Sequence, residues 1–325
     1  MTNAKGEAFL RNNNVNVKID PSFHGISYCF KKTGNEKNLD PLMTMGRLVI
    51  DTPKYFLDIW KVVRNVLEDG YDIIVNDASL QTTRIPAVNL MNILHYTLPQ
   101  NMNDLKRACG GLQPLFYEGL IEPVINASSI LTHRFCMDLR RSHIDYEHTY
   151  PPIVSRTKKN RSQVRSELNL RAKDKLIVDG RSNPPIALYE TLANEYAGLN
   201  FLVRSSRTNS EHVKSMSFIP NMVDYVAAAD LFITSAGFSS LSEGAVSGIR
   251  MLIDHPGLHF EGLKNLVIAE GEGYGKRISC LVDDILCEIN ERRPVRILEN
   301  GLPYAIEMLN RLSQQKPLLQ ALIGN

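Results

Sequence analysis

Short apolar runs that end in glycine, serine or asparagine alternate along this chain with longer stretches in which apolar residues return every three or four positions. The first pattern is that of buried strands and the second that of amphipathic helices. Their alternation predicts an α/β fold with parallel sheets in doubly wound order. Residues 1–12 predict a helix, 15–19 a strand, and 26–30 a second strand after the turn at His24-Gly25. A long amphipathic helix containing Trp60 is predicted over 51–69. A buried strand over 71–77 then closes on the polar pair Asn76-Asp77, and a further strand over 85–90 leads to His95. Pro151-Pro152 reads as a hinge, dividing the chain into domains of residues 1–150 and 151–325. Beyond it, 175–179, 200–203, 231–234 and 251–254 read as strands, 186–196 as a helix, and 303–322 as a final amphipathic helix able to pack back onto the first domain. His133 lies in an apolar stretch and is expected to pack near the hinge.

One break in this pattern carries chemistry. The apolar run 231–234 gives way to Ser235-Ala236-Gly237, after which Ser239, Ser240 and Ser242 open a helix that carries Glu243 in its first turns. The first N–H groups of a helix lack intrahelical acceptors, the positive end of its dipole lies there, and Gly237 has no side chain to hold an anion away. Serine hydroxyls add donors. A carboxylate one turn along repels phosphate yet accepts hydrogen bonds from a ribose diol, so the set suits a nucleotide better than inorganic phosphate. Taken alone, the same residues also fit an ordinary strand, turn and serine-capped helix.

Composition narrows the setting. A chain of 325 residues with 43% hydrophobic content suits two α/β domains of about 150 residues each. No run of about 18 apolar residues and no basic-then-apolar leader is seen, and the five cysteines (Cys29, Cys109, Cys136, Cys280, Cys287) are scattered without metal spacing. These features predict a cytoplasmic protein with reduced thiols. The net charge is +2, but residues 153–181 hold nine Lys or Arg against three acidic residues. Such a run is either a solvated helix face or a patch for an anionic acceptor or membrane surface. No Asp-x-Asp triplet occurs, so no metal-bridged diphosphate is expected.

The motifs FIPNM (218–222), AAAD (227–230), SAGFSSLSEG (235–244), the Gly248 turn, HFEGLKN (259–265) and GEGYG (271–275) follow one another in an order and spacing that resemble the GT-B glycosyltransferases. Within these it resembles the family-28-like group, which includes the UDP-N-acetylglucosamine transferase of peptidoglycan synthesis and predicted glycosyltransferases of archaea and bacteria. The resemblance implies two Rossmann-like domains flanking a cleft, the first binding acceptor and the second a nucleotide-sugar donor. It also implies an inverting, metal-independent enzyme that uses a UDP-sugar and no separate cofactor. By the same resemblance, the backbone at Phe218-Ile219 recognises the base, Ala236-Gly237-Phe238 with Ser239 and Ser240 holds the diphosphate, and Glu243 binds the ribose. Phe260-Glu261 faces the sugar, with Gly262 where relatives carry Gln. Arg181, in Gly180-Arg181-Ser182 at the end of a strand, is either a charge clamp on the phosphates or part of the basic run.

The first strand and glycine-rich loop with which relatives begin are expected to be missing here, and no residue takes a catalytic role by correspondence. An acceptor hydroxyl needs a general base. Asp77 and then His95, each at or after the carboxyl end of a strand, are the candidates, with His24 behind them; a helix cap or loop histidine is the plain alternative for each. The acceptor stays open among a lipid-linked sugar, a small molecule, a protein and a modified DNA base. A nucleotide-sugar-binding protein without turnover, and an epimerase on the same architecture, are the competing functions.

Overall fold

The computed structural model describes residues 30–33, 36–39, 64, 73–77, 89–94, 132–135, 137, 149–205, 210–217, 219, 221–254, 260–291 and 295–314. The chain forms two compact units, residues 1–91 with 312–325, and residues 92–311. The helices predicted over 1–12 and 51–69, apart from helical Arg64, and the strand over 15–19 lie outside the described residues. Near the start, strands β1 (Phe30–Thr33) and β2 (Glu36–Leu39) form an antiparallel pair. The predicted strand 26–30 meets β1 only at Phe30. A four-stranded sheet has the order β3 (Ile73–Asp77), β4 (Asn89–Leu94), β5 (Thr132–Phe135) and β6 (Thr149–Tyr150). The strand predicted over 85–90 instead runs from Asn89 to Leu94. Its apolar run continues through Ile93-Leu94, and Pro86 has no N–H to give a ladder.

The second unit is built on a six-stranded parallel sheet. Its strands are β7 (Lys175–Asp179), β8 (Leu199–Arg204), β9 (Val213–Met216), β10 (Leu231–Ser235), β11 (Met251–Asp254) and β12 (Gly275–Arg277), in the order β12-β11-β10-β7-β8-β9. The helices are α1 (Arg161–Glu167), α2 (Ile186–Glu195), α3 (Met222–Ala228), α4 (Phe238–Ser247), α5 (Phe260–Gly271), α6 (Leu281–Asn290) and α7 (Leu302–Gln314). Alternate strand residues feed two cores, as a period of two requires. Val178, Phe232 and Ile253 pack with Tyr225, Val226, Leu241 and Ala245 of α3 and α4, whereas Ile177, Ile233 and Leu252 pack with Tyr189 and Leu192 of α2 and Ile285 of α6. The chain moves outward from β7 to β9 and then returns to lay β10 on the other side of β7. That reversal creates a switch point at the carboxyl ends of β7 and β10, where open α/β sheets bind ligands.

Helix α4 lies hard against β11, for a Cβ added at Gly244 would collide with Met251 Sδ. Gly248 ends the helix in the left-handed region at φ 65°, which an L side chain resists.

The basic run is held largely by acidic residues of its own unit. Lys159 pairs with Glu167, Arg161 and Arg165 with Asp230, Arg171 with Asp174, and Arg181 with Asp179, so five of its nine cations are ion-paired. Asp230, the acid of the AAAD motif, also accepts the Leu176 N–H at 2.8 Å, so its place in the motif is structural. Asp224 likewise accepts the N–H groups of Lys158 and Lys159 at 2.6 and 3.2 Å.

Pro151-Pro152 is pinned by the approach to α7. The Gly301 N–H donates to the Pro152 carbonyl at 2.9 Å, and the Asn300 amide donates to the Val154 carbonyl at 2.8 Å. The rings of Phe135, Tyr150 and Tyr304 follow one another at 5.4 Å between centroids. Among the described residues, no helix is long and apolar enough to cross a membrane, and no three His, Cys, Asp or Glu side chains form a metal group.

Candidate functional site

The site is assembled at the carboxyl ends of β7, β10 and β11. Leu231–Ser235 forms β10 because a buried run flanked by β7 and β11 satisfies its backbone on both sides. The chain leaves the sheet at Ser235 and enters α4 after two residues. Phe238 drives the first turn of α4 into the core, Ala236 is buried beneath it, and Ser235, Gly237 and Ser239 remain exposed. The turn is braced from below: Asn265 of α5, almost wholly buried, donates from its side-chain amide to the Ala236 carbonyl at 3.1 Å. Asn265 belongs to the HFEGLKN motif, but sequence reading assigned it no role. An amide amid the apolar positions of a helix is the signal that pointed to it.

Gly237 is the residue before α4, with no side-chain hydrogen bond capping the helix among the described residues. Its backbone is extended, at φ −73° and ψ 136°, and among the described residues an added Cβ would meet only Ser235 Oγ at 4.0 Å. Among the described residues nothing else fills the space before the helix end, and the first turn of a helix is where backbone N–H groups lack intrahelical acceptors. The Ser242 hydroxyl is turned inward to the Phe238 carbonyl at 2.8 Å, so the donors nearest the opening are those of Ser239 and Ser240.

Glu243 stands one turn further, four residues after Ser239 and three after Ser240, on the same helix face. Its carboxyl is partly enclosed, and burial pushes its pKa up to about 7. No charge or hydrogen bond among the described residues offsets that burial. A pKa raised in the folded state gives stability that is full below the ordinary carboxylate range and is lost as the pH rises through about 7. Glu243→Gln is expected to remove that loss. Between pH 5 and pH 8 the wild type should lose on the order of 2 kcal/mol more stability than the variant in urea titrations. Parallel pH profiles for the two proteins would count against an enclosed, uncompensated carboxyl.

Arg181 follows β7 after Gly180, whose N–H donates to the Ile233 carbonyl at 2.9 Å. Its guanidinium bonds Asp179 through Nε at 3.0 Å and Nη2 at 2.8 Å, the Tyr189 hydroxyl through Nη2 at 2.8 Å, and Asp254 through Nη1 at 3.1 Å. Burial lowers the guanidinium pKa, but the hydrogen bonds and charge of Asp179 outweigh it and leave the pKa raised. The Tyr189 pKa is also raised, by burial and then by the charge of Asp179. The tyrosine hydroxyl donates to Asp179 at 2.6 Å, completing a closed network in which two carboxylates surround one cation. Arg181 is thus committed to its neighbours and is not an unpaired cation aimed at a ligand. Both strands that supply these carboxylates end in aspartate, KLIVD and MLID, a polar terminus on an apolar run that sequence reading passed over.

The other predicted residues are placed as follows. Ile219 is buried in the core with Phe232 and Val226, leaving its backbone as the part able to face a base; Phe218 lies outside the described residues. Phe260 and Glu261 are the first two residues of α5, but their side chains lie outside the described residues. Asp77 is the last residue of β3. His95 and His24 lie outside the described residues, and so does the start of the chain, where a first strand and glycine-rich loop were expected to be missing.

Residues 187–253 match the Glycosyltransferase family 28 C-terminal domain, a span that includes β10 and α4. An uncharacterized glycosyltransferase of Methanosarcina acetivorans is 31% identical over 97 residues, which are 27% of this chain and 25% of that protein. This chain therefore spans about a quarter of that relative's length. The calicheamicin glycosyltransferase CalG4 superposes with a TM-score of 0.52 at 9% identity, covering 85% of this chain and 76% of its own. The spinosyn rhamnosyltransferase SpnG complexed with thymidine diphosphate gives 0.50 at 13% identity, covering 84% and 78%. Both share the fold, so the α/β architecture here is the GT-B type that the motifs implied.

Proposed function

We propose that this chain, which carries the family-28 glycosyltransferase match over its α4 cradle, moves a sugar from a nucleoside diphosphate, a UDP-sugar, to an acceptor hydroxyl. The observation that carries this reading is the amino end of α4, where among the described residues no side chain caps the helix and little stands before Gly237, with the enclosed carboxyl of Glu243 one turn behind it. A diphosphate at the helix end brings its ribose to Glu243, whose desolvated oxygens gain hydroxyl donors. As the sugar leaves, negative charge grows on the distal phosphate. Fixed N–H donors aimed there stabilise that charge more than they stabilise the bound donor.

In this reading Ala236, Gly237, Phe238, Ser239 and Ser240 contact the diphosphate, and the backbone at Phe218-Ile219 contacts the base. Phe260-Glu261 faces the sugar. Displacement is inverting and needs no bound metal, the helix terminus supplying the electrostatic partner. Asp77 or His95 removes the acceptor proton. The dispersed cysteines suit a cytoplasmic setting, and Cys280 and Cys287 are free thiols. Since most cations of 153–181 are paired internally, a neutral acceptor such as a small molecule or lipid-linked sugar is favoured over DNA.

Incubating the protein with UDP- and dTDP-sugars and following free nucleotide tests the proposal. Slow hydrolysis of a UDP-sugar is expected, because water replaces the missing acceptor. Tight binding with no turnover, with or without candidate acceptors, would replace the transferase by a binding protein. A changed sugar with no free nucleotide would replace it by an epimerase.

A further inference from the structure

Three consecutive carbonyls of the turn between β10 and α4 are tied down by the protein. The Thr234 hydroxyl donates to the Ser235 carbonyl at 3.0 Å, the Asn265 amide to the Ala236 carbonyl at 3.1 Å, and the Leu241 N–H to the Gly237 carbonyl at 3.1 Å. A peptide unit is a rigid plate, and among the described residues every one is trans, so its N–H points opposite to its C=O. Drawing the Ala236 carbonyl toward α5 therefore turns the Gly237 N–H away from α5. The three ties differ in origin. Those on Ser235 and Gly237 come from the preceding residue and from the first turn of α4, whereas the tie on Ala236 crosses from α5, 29 residues away.

That crossing tie acts on the plate most in need of one. The plate between Ala236 and Gly237 turns through ψ of Ala236 and φ of Gly237, and glycine accepts either sign of φ. The residue that lets a phosphate come close is thus the one that lets the plate flip. A flip carries φ of Gly237 from −73° into the left-handed region and puts the Ala236 oxygen where the Gly237 N–H had been. An anion that the N–H attracts is repelled by that oxygen. Asn265 is only 1% exposed, so bulk water does not replace its amide beneath the turn. We propose that Asn265 is the positioning residue of the diphosphate cradle: its amide keeps the Gly237 N–H toward the phosphates and prevents the flip that glycine allows. This rests on the nucleotide-sugar reading of the α4 cradle.

Calorimetric titration of the full chain with UDP and with inorganic pyrophosphate tests the proposal in a double-mutant cycle. Asn265→Leu keeps the branched shape of the side chain and removes the donor. It should weaken both ligands about 10-fold, as the competent orientation of the plate falls from nearly the whole population to about a tenth. Gly237→Ala in that background is the decisive step. Alanine resists the left-handed φ of the flipped plate, so it should cost at least about fivefold less affinity in Asn265→Leu than in the wild type. A residue that merely fastens α5 to α4 has no such coupling. Equal costs in the two backgrounds would therefore overturn the proposal, and so would undiminished affinity for both ligands in Asn265→Leu. Asn265→Ala, carried through the same cycle, should give the same pattern without crowding from the leucine methyls. Binding of neither ligand by the wild type would bring down the cradle reading, and this proposal with it.

Discussion

Gly237→Val is expected to abolish nucleoside diphosphate binding, weakening it at least about 100-fold, while leaving the fold as stable as before. The two halves of this expectation come from the same geometry. The backbone at Gly237 is extended with negative φ, which valine adopts readily, and among the described residues an added Cβ meets only Ser235 Oγ at 4.0 Å. Nothing among the described residues resists the new side chain. Its two methyl groups instead occupy the opening before α4, where a phosphate has to approach the N–H groups to within hydrogen-bond distance. Gly237→Ala, with a single methyl, should fall between. Glu243→Ala should also abolish measurable nucleotide binding, through the ribose and not the phosphates, so inorganic pyrophosphate should still bind that variant when titrated directly but not Gly237→Val. Thermal melts and titrations of the two variants check both parts. Undiminished UDP affinity in both would remove the helix end from the site.

What the sequence disclosed about this region was a matter of local grammar. A buried run, a small-residue break and a serine-rich helix start specify β10, the turn and α4 from neighbours a few residues apart, and the structure has each where that grammar puts it. The same holds for β7, β11 and α2, whose predicted limits differ from the observed ones by no more than a residue. Elements of mixed polarity were harder to see. The three residues of β12 and the half-exposed β9 at the sheet's edges bury too little to leave an apolar run. Arg161 and Arg165 of α1 gain their partner Asp230 only after folding. The basic run looked like a surface for an anionic partner because its counter-charges are scattered from Glu167 to Asp230 in the sequence. Asn265 and Asp254 escaped notice for the same reason: a side chain's role set by a residue tens of positions away leaves no periodicity to read.

Arg181 shows that distinction most sharply, and its removal carries the second large effect. Arg181→Met should lower stability by about 3 kcal/mol, because the Asp179 carboxylate would keep its burial but lose the cation beside it. The loss is bounded, since the Arg181 backbone N–H at 2.9 Å and the Tyr189 hydroxyl at 2.6 Å still reach Asp179 in the variant. The decisive measurement is the double variant. Adding Asp179→Asn removes the stranded charge while keeping an acceptor for Tyr189, and should restore at least about half of the stability lost by Arg181→Met. A surface cation waiting for phosphate behaves differently: its removal would weaken nucleotide binding, leave the urea midpoint alone, and gain nothing from Asp179→Asn. Urea titrations of the two single variants and the double, read beside UDP affinity, therefore separate a guanidinium that ties β7 to β11 from one that grips the ligand. An unshifted midpoint in Arg181→Met would return Arg181 to the phosphates.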